Sequence, residues 1–479
     1  MRRRLDRSRM GGVLCAAVAG TLLAACRIPV QAPPQPTLTV PGAWHGKPEV
    51  GPSAAVQVER AWWKAFNDPV LNELVAQALA RNANVLTARS RLQEYRARIR
   101  VAEAAGLPQV NASLQPGRGQ NIGPFGTPSL ATVVQGGVQA SYELYSFGRT
   151  ENAIEAARYE LASQQAAADA AALAVAANVA TGYLNLRGLD AQLEVARQTL
   201  ATRERSAALA RREFEVGYTS RLEVQQSESE RRSTAQTIPQ LQRAIGEQEN
   251  ALALLAGANP GPIARGTALT ALQPPAIAPG LPSQLLRRRP DIAQAEDAVA
   301  ASDASLAVAR AQFLPAISLN ASAGVYQFGL PELLHDPFRL WSLGGSVLAP
   351  VFDAGRRRAQ AEVSASLRDR AIYAYEATVR NAFAETENAL DAIERLREQL
   401  EQAEARRVAS AEQLRIAHNR YRNGYSSFLE ELDAQRNAFS ADTSALQLRA
   451  SYLSAHVDLY RALGGGWQAP AQSETESKR

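Results

Sequence analysis

The stretch ISLNASAGVY, residues 317–326, decides the fold. Ile317, Leu319, Ala321, Ala323 and Val325 alternate with Ser318, Asn320, Ser322, Gly324 and Tyr326. A period of two puts the apolar side chains on one face of a strand and the polar ones on the other. Three more segments do the same. Val110, Ala112 and Leu114 alternate with Asn111, Ser113 and Gln115, and Val138, Ala140, Tyr142 and Leu144 with Gln139, Ser141 and Glu143. Trp341, Leu343, Gly345, Val347, Ala349 and Val351 face away from Ser342, Gly344 and Ser346. The alternation predicts strands near 110–118, 133–147, 316–328 and 341–352, of about 10 residues each, the length that crosses a bilayer when tilted. A soluble sandwich is the alternative, but four strands are few for one and the rest of the chain reads as helix. In lipid an open sheet would leave its edge N–H and C=O groups without partners. Membrane barrels start at about 8 strands, so a chain with four must pool them with copies of itself. Aromatic residues near the strand ends, among them Phe125, Phe147, Phe328, Trp341 and Phe352, suit interfacial girdles.

The two halves of the chain match at a fixed offset. RNANVLTARSRL starts at 81 and RRPDIAQAEDAV at 288; LPQVNASL starts at 107 and LPAISLNAS at 314; SFGR starts at 146 and DAGR at 353. Gly217 matches Gly424 and Gly257 matches Gly464, all at a spacing of 207 residues. This is a duplication. The expected organisation is a first repeat over 61–256, a Pro- and Gly-rich linker over 257–282, a second repeat over 283–464 and a disordered tail over 465–479.

Between strands and repeat ends the period becomes helical. Residues 149–213 contain no proline, and 356–419 repeat this. At 1.5 Å per residue such a run spans ~98 Å, against about 11–12 residues for an average helix. Val379, Ala382, Thr386, Ala389, Ile393, Leu396, Leu400 and Ala403 step by threes and fours, a coiled-coil seam. The long helices should end at Gly217 and Gly424 as C-caps. Shorter helices are expected over about 70–105, 220–256, 283–313 and 427–463. The fold class is therefore mainly α with a membrane β-barrel portion.

The first residues have another task. MRRRLDRSR carries five arginines and one aspartate, four of the five net positive charges of the 479-residue chain. The basic pI therefore makes no case for nucleic acid. An apolar run follows, ending Leu23-Ala24-Ala25-Cys26. This resembles a bacterial lipoprotein signal: 1–25 would be removed, Cys26 lipidated, and 26–60 left as a lipid-anchored Pro-rich segment. Arg27 after the cysteine implies outer-membrane delivery in that class. Cys15 lies inside the signal, so the mature chain can form no internal disulfide. No later run is expected to reach the ~18–20 apolar residues of a spanning helix.

WWKAFNDPVLNELVAQAL (62–79), LLRRRPDIAQAE (285–296) and RYRNGYSSFLEELDAQRN (420–437) carry a family resemblance. Together with the duplication, they resemble the TolC/OprM family of outer-membrane efflux channels, in its NodT-like lipoprotein branch. One departure is RNANV at 81–85, where the family pattern has Pro-Asp. The resemblance implies a homotrimer whose strands close one barrel in the outer membrane of a Gram-negative cell. The helices extend it as a periplasmic tunnel. It further implies a periplasmic adaptor, an inner-membrane pump of the resistance-nodulation-division class, and small-molecule export without a cofactor.

Nothing in the sequence reads as a catalytic site. His45, His335, His418 and His456 form no pair at metal-ligand spacing, and no nucleotide loop, nucleophile elbow or CxxC is present. Glu430 and Asp433, three apart, share a helix face just after a turn. The family places acidic residues at these positions around the periplasmic entrance, where they would favour cations. Glu223 is the first-repeat equivalent of Glu430, while Gln226 replaces the equivalent of Asp433. Gly217 and Tyr218, with Gly424 and Tyr425, mark the hairpin tips where an adaptor should dock. Two alternatives stay open: the outer-membrane component of type I protein secretion, and a periplasmic coiled-coil lipoprotein without a pore.

Overall fold

The computed structural model describes residues 32–34, 37–46, 59–122, 126–145, 147–328, 335 and 338–468. Cys26, the signal segment, Phe125 and the end of the tail lie outside the described residues. The elements run in the order α1 (Pro69–Arg81), α2 (Ala83–Ala104), β1 (Gln109–Ile122), β2 (Pro128–Tyr145), α3 (Arg149–Glu215), α4 (Arg221–Leu255), α5 (Pro282–Arg288), α6 (Pro290–Ala311), β3 (Ala316–Gln327), β4 (Phe338–Leu348), α7 (Arg356–Arg422) and α8 (Phe428–Ala462). Two compact units result, and both cut across the duplication. One takes 92–164 and 295–376, with the chain up to Thr37; the other takes 38–91, 165–294 and the chain from 377.

The first unit holds one antiparallel sheet in the order β1-β2-β3-β4. Its middle ladder, β2 on β3, joins the two halves of the chain, so neither half completes the sheet alone. The register keeps like with like. Gln139 stands opposite Ser322, Ser141 opposite Asn320 and Glu143 opposite Ser318; Ser318 and Ser322 continue to Ser346 and Ser342, with hydroxyls 2.8 Å apart in both pairs. On the other face Ala140 meets Ala321, which meets Leu343, and Ala323 meets Trp341. Trp341 is 80% exposed in the isolated chain, and Leu343 and Val347 are exposed beside it, an apolar face suited to lipid.

Strand bounds differ from those the alternation predicts. β1 and β2 stay paired to Ile122 opposite Pro128, well past the last alternating apolar residue, Leu114. Alternation reports only where one face meets apolar surroundings, whereas the ladder continues wherever backbone groups match. β4 stops at Leu348, short of the expected Val351, because Pro350 has no N–H to give.

The helices before the strands also differ from expectation. Each breaks in two, at Asn82 and at Arg289, both extended in backbone conformation. Arg289 precedes Pro290, which disfavours helical geometry there. Asn82 does the same work without proline: its side-chain Oδ1 accepts from the N–H of Asn84 at 2.9 Å, capping α2, and its Nδ2 donates to the Leu255 carbonyl at 2.9 Å. Arg289 donates to the equivalent carbonyl of Ala462 at 3.0 Å. The departure from the family motif at 81–85 thus preserves the joint.

In the second unit Asp68 caps α1, accepting from the N–H groups of Val70 and Leu71 at 2.8 and 3.0 Å. Its other oxygen accepts from the Tyr183 hydroxyl and the Thr267 N–H at 3.0 and 2.9 Å. Burial pushes the Tyr183 hydroxyl up to about 12, so it stays a donor. The segment between the repeats is packed, with Leu269, Leu272, Ile277 and Ala278 buried. Trp62 stacks on Tyr460 at 5.0 Å between ring centres.

One expectation about apolar runs is corrected. An 18-residue window of α3 is apolar enough, by length and composition, to cross a membrane. Alanine accounts for it: the stretch 166–180 is mostly alanine, and Ala176, Ala177, Val179 and Ala180 are buried. The small side chain favours helix and close approach.

Candidate functional site

The site lies in the second unit, where α3 turns into α4 and α7 into α8. Both turns are built alike. The Tyr218 N–H donates to the Glu213 carbonyl and the Tyr425 N–H to the Arg420 carbonyl, each at 2.8 Å. Gly217 and Gly424 take φ of 80° and 72°, the left-handed conformation that closes a helix this way and that a side chain disfavours. Tyr218 and Tyr425 project from the turns, 87% and 77% exposed.

Past the turns the two hairpins diverge. Ser220 caps α4 by accepting from the Glu223 N–H at 3.3 Å. The Glu223 carboxylate accepts from the Thr219 hydroxyl and from the Tyr421 hydroxyl, the latter at 3.1 Å. Tyr421 sits in the last turn of α7, so this bond ties one hairpin to the other. Burial first, and then the charge of Glu223, push the Tyr421 hydroxyl well above the usual tyrosine range, so it remains protonated and donating. Seven residues further along α4, about two helical turns, Glu230 makes a second tie. It lies between Arg203 of α3, at 3.0 Å, and Arg436 of α8, at 2.8 Å. Arg203 and Glu230 are buried, and Arg203 also donates to the Glu230 carbonyl at 3.1 Å. Breaking a buried pair by removing one partner leaves an uncompensated charge, typically at a cost of about 3–5 kcal/mol.

The three acidic residues expected at the entrance are therefore not equivalent. Glu430 and Asp433 are exposed on α8; Glu430 lies 3.5 Å from the Arg420 guanidinium and Asp433 accepts from Asn437 at 3.4 Å. Glu223 is turned toward Tyr421 instead. Next to Glu430, Glu431 is buried and bonded to His418 at 2.9 Å and Gln435 at 3.1 Å.

Sequence reading missed Tyr421, Arg203, Glu230 and Arg436, although a signal was present. At the 207-residue offset Tyr421 matches Phe214, Arg203 matches Ser410, Glu230 matches Asn437 and Arg436 matches Ser229. Each of the four differs from its equivalent in charge or hydroxyl, and each makes a bond its equivalent cannot repeat.

Four amphipathic strands with open edges, paired long helices and two glycine-capped tips define a channel protein that closes its barrel by sharing strands among copies. The model of the outer membrane efflux protein family matches residues 74–258 and 281–465, twice and at the same 207-residue offset. The chain belongs to that family. It is 33% identical to the antibiotic efflux pump outer membrane protein ArpC of Pseudomonas putida, with 98% of this chain and 99% of the relative covered. It is also 33% identical to the cation efflux system protein CusC of Escherichia coli O6:H1, over 87% of this chain and 90% of the relative. Among solved structures, the open state of the MtrE outer membrane channel of Neisseria gonorrhoeae superposes with a TM-score of 0.80 at 29% identity, covering 93% of this chain and 99% of that one. The protein is thus an outer-membrane efflux channel reaching into the periplasm. Its mainly helical fold with one small four-stranded sheet is that of trimeric outer-membrane efflux channels.

Proposed function

We propose that the channel is the passive exit duct of a tripartite system driven by a pump of the resistance-nodulation-division class, exporting small molecules. The observation that carries the reading is the tip of the second unit: two glycine turns with exposed tyrosines for an adaptor, beside carboxylates left exposed and in-chain ties that hold the hairpins together. In this reading Gly217, Tyr218, Gly424 and Tyr425 form the docking ends. Glu430 and Asp433, repeated three times, ring the entrance and favour cations. Glu223 acts through Tyr421 as a latch rather than as a member of that ring. An antibiotic-pump relative and a cation-system relative match at equal identity, so likeness does not choose the cargo.

The test is ion selectivity of purified trimers in planar bilayers. Glu430→Gln with Asp433→Asn should lower cation preference; an unchanged reversal potential in a salt gradient removes these two from the entrance ring. In the same reading Cys26 carries the lipid anchor, and labelled palmitate incorporation lost in Cys26→Ser checks it.

A further inference from the structure

Where the barrel meets the helices, both repeats make the same tight passage. Phe147-Gly148 and Ala354-Gly355 take positive φ, and the next residues, Arg149 and Arg356, are the first of the two 67-residue helices. These arginines are equivalents at the 207-residue offset, yet their surroundings differ. Arg149 donates to the Glu143 carboxylate. Glu143 lies on the polar face of β2, opposite Ser318, just before a register shift in the β2–β3 ladder. The position equivalent to Glu143 in the second repeat is Pro350. Arg357 pairs with Asp353 at 3.0 Å and Arg358 with Glu362 at 3.1 Å, which leaves Arg356 exposed with no acidic partner among the described residues.

Arg356 also borders a crevice. A cavity of about 280 Å³ is lined by Glu143, Arg149, Gln312, Pro350, Arg356 and Arg357, among others, and a second one along α6 and α7 shares Gln312, Arg356 and Arg357. Glu143 belongs to the serine-lined face, which in a closed barrel is the lumen side. The crevice therefore starts from the lumen wall, at the neck between barrel and tunnel.

We propose that this neck is an anion-binding station in the duct, with Arg356 as its principal donor and Gln312 beside it, and that its ligands are phosphate- or carboxylate-bearing solutes in transit. The duplication supplied two cations, and the first repeat neutralised its own with Glu143 while the second did not. Threefold symmetry places three uncompensated arginines around the lumen. A guanidinium offers planar paired donors, which match phosphate and carboxylate geometry.

The inference rests on the duct reading, and one experiment separates the two. Trimers in planar bilayers are titrated with inorganic pyrophosphate from the extracellular side, and the half-blocking concentration is read from the current. Arg356→Gln should raise it about threefold, the scale of one lost solvent-accessible charge contact. Arg356→Lys should retain most of the block. Pro350→Glu, which restores the acid that the first repeat has, should raise the concentration as Arg356→Gln does while leaving the arginine in place. Equal block in all four proteins overturns the inference while leaving a conducting duct. So does absence of block in a conducting wild type. A wild type that passes no current strikes the duct reading itself.

Discussion

Replacing Tyr421 by phenylalanine tests whether the bond between hairpins governs opening. The substitution removes one hydroxyl and little else. Phe214 occupies the equivalent place in the first repeat, and the ring contact of Tyr421 with Phe428, 5.4 Å between centres, is kept. The lost bond runs to a carboxylate at 3.1 Å. Hydrogen bonds to charged groups are worth about 1.5–3 kcal/mol. Glu223 keeps its bond from Thr219 and is only half-buried, so about 1 kcal/mol per protomer is the fitting scale. If the three tips open together the losses add to about 3 kcal/mol, or ~150-fold in the closed-to-open ratio; opening one by one gives only about fivefold each. Open probability of single channels in planar bilayers measures this, with trimers verified by unheated electrophoresis. Intact trimers with wild-type open probability would refute the latch. Alkali should act in the same direction. The hydroxyl's raised pKa means that its stabilising effect is whole below the ordinary tyrosine value and is lost as pH rises through the raised one.

Two further outcomes follow from geometry elsewhere. Gly464→Ala would drive a methyl group into the Arg288 carbonyl at a φ of 87°, whereas Gly424→Ala meets nothing within 4 Å. The first should cost several kcal/mol and abolish trimer yield, while the second should cost about 1–2 kcal/mol, the left-handed penalty alone, and leave trimers to be counted in outer-membrane extracts. Burial, with Glu296 adding to it, raises the Asp297 carboxyl to about 6. The neutral form is favoured in the fold, so its contribution is whole below the ordinary carboxylate value and is lost as pH rises through about 6. Asp297→Asn should flatten the fall in thermal stability across that window and stabilise each protomer by about 1 kcal/mol at pH 7, a figure reduced because the group is half-exposed. Melting temperatures at pH 4 and pH 7 check it, and parallel pH dependence in the two proteins would count against it.

The periodicity of residues 317–326 and its three companions carries the sheet, because a two-residue repeat of polarity has one compatible backbone. The offset between Gly217 and Gly424 carries the duplication, and the absence of proline carries the long helices. Those properties are local, and the chain determines them by itself. The sequence could not show that Glu223 and Glu430, equivalent along the chain, point to different surroundings. It also could not show that Arg149 finds an acid and Arg356 does not, or that Glu230 lies between two arginines from other helices. Such pairings depend on side chains of different elements converging within about 3 Å. Only the packing of one hairpin against the other, and of strand ends against helix starts, brings them there.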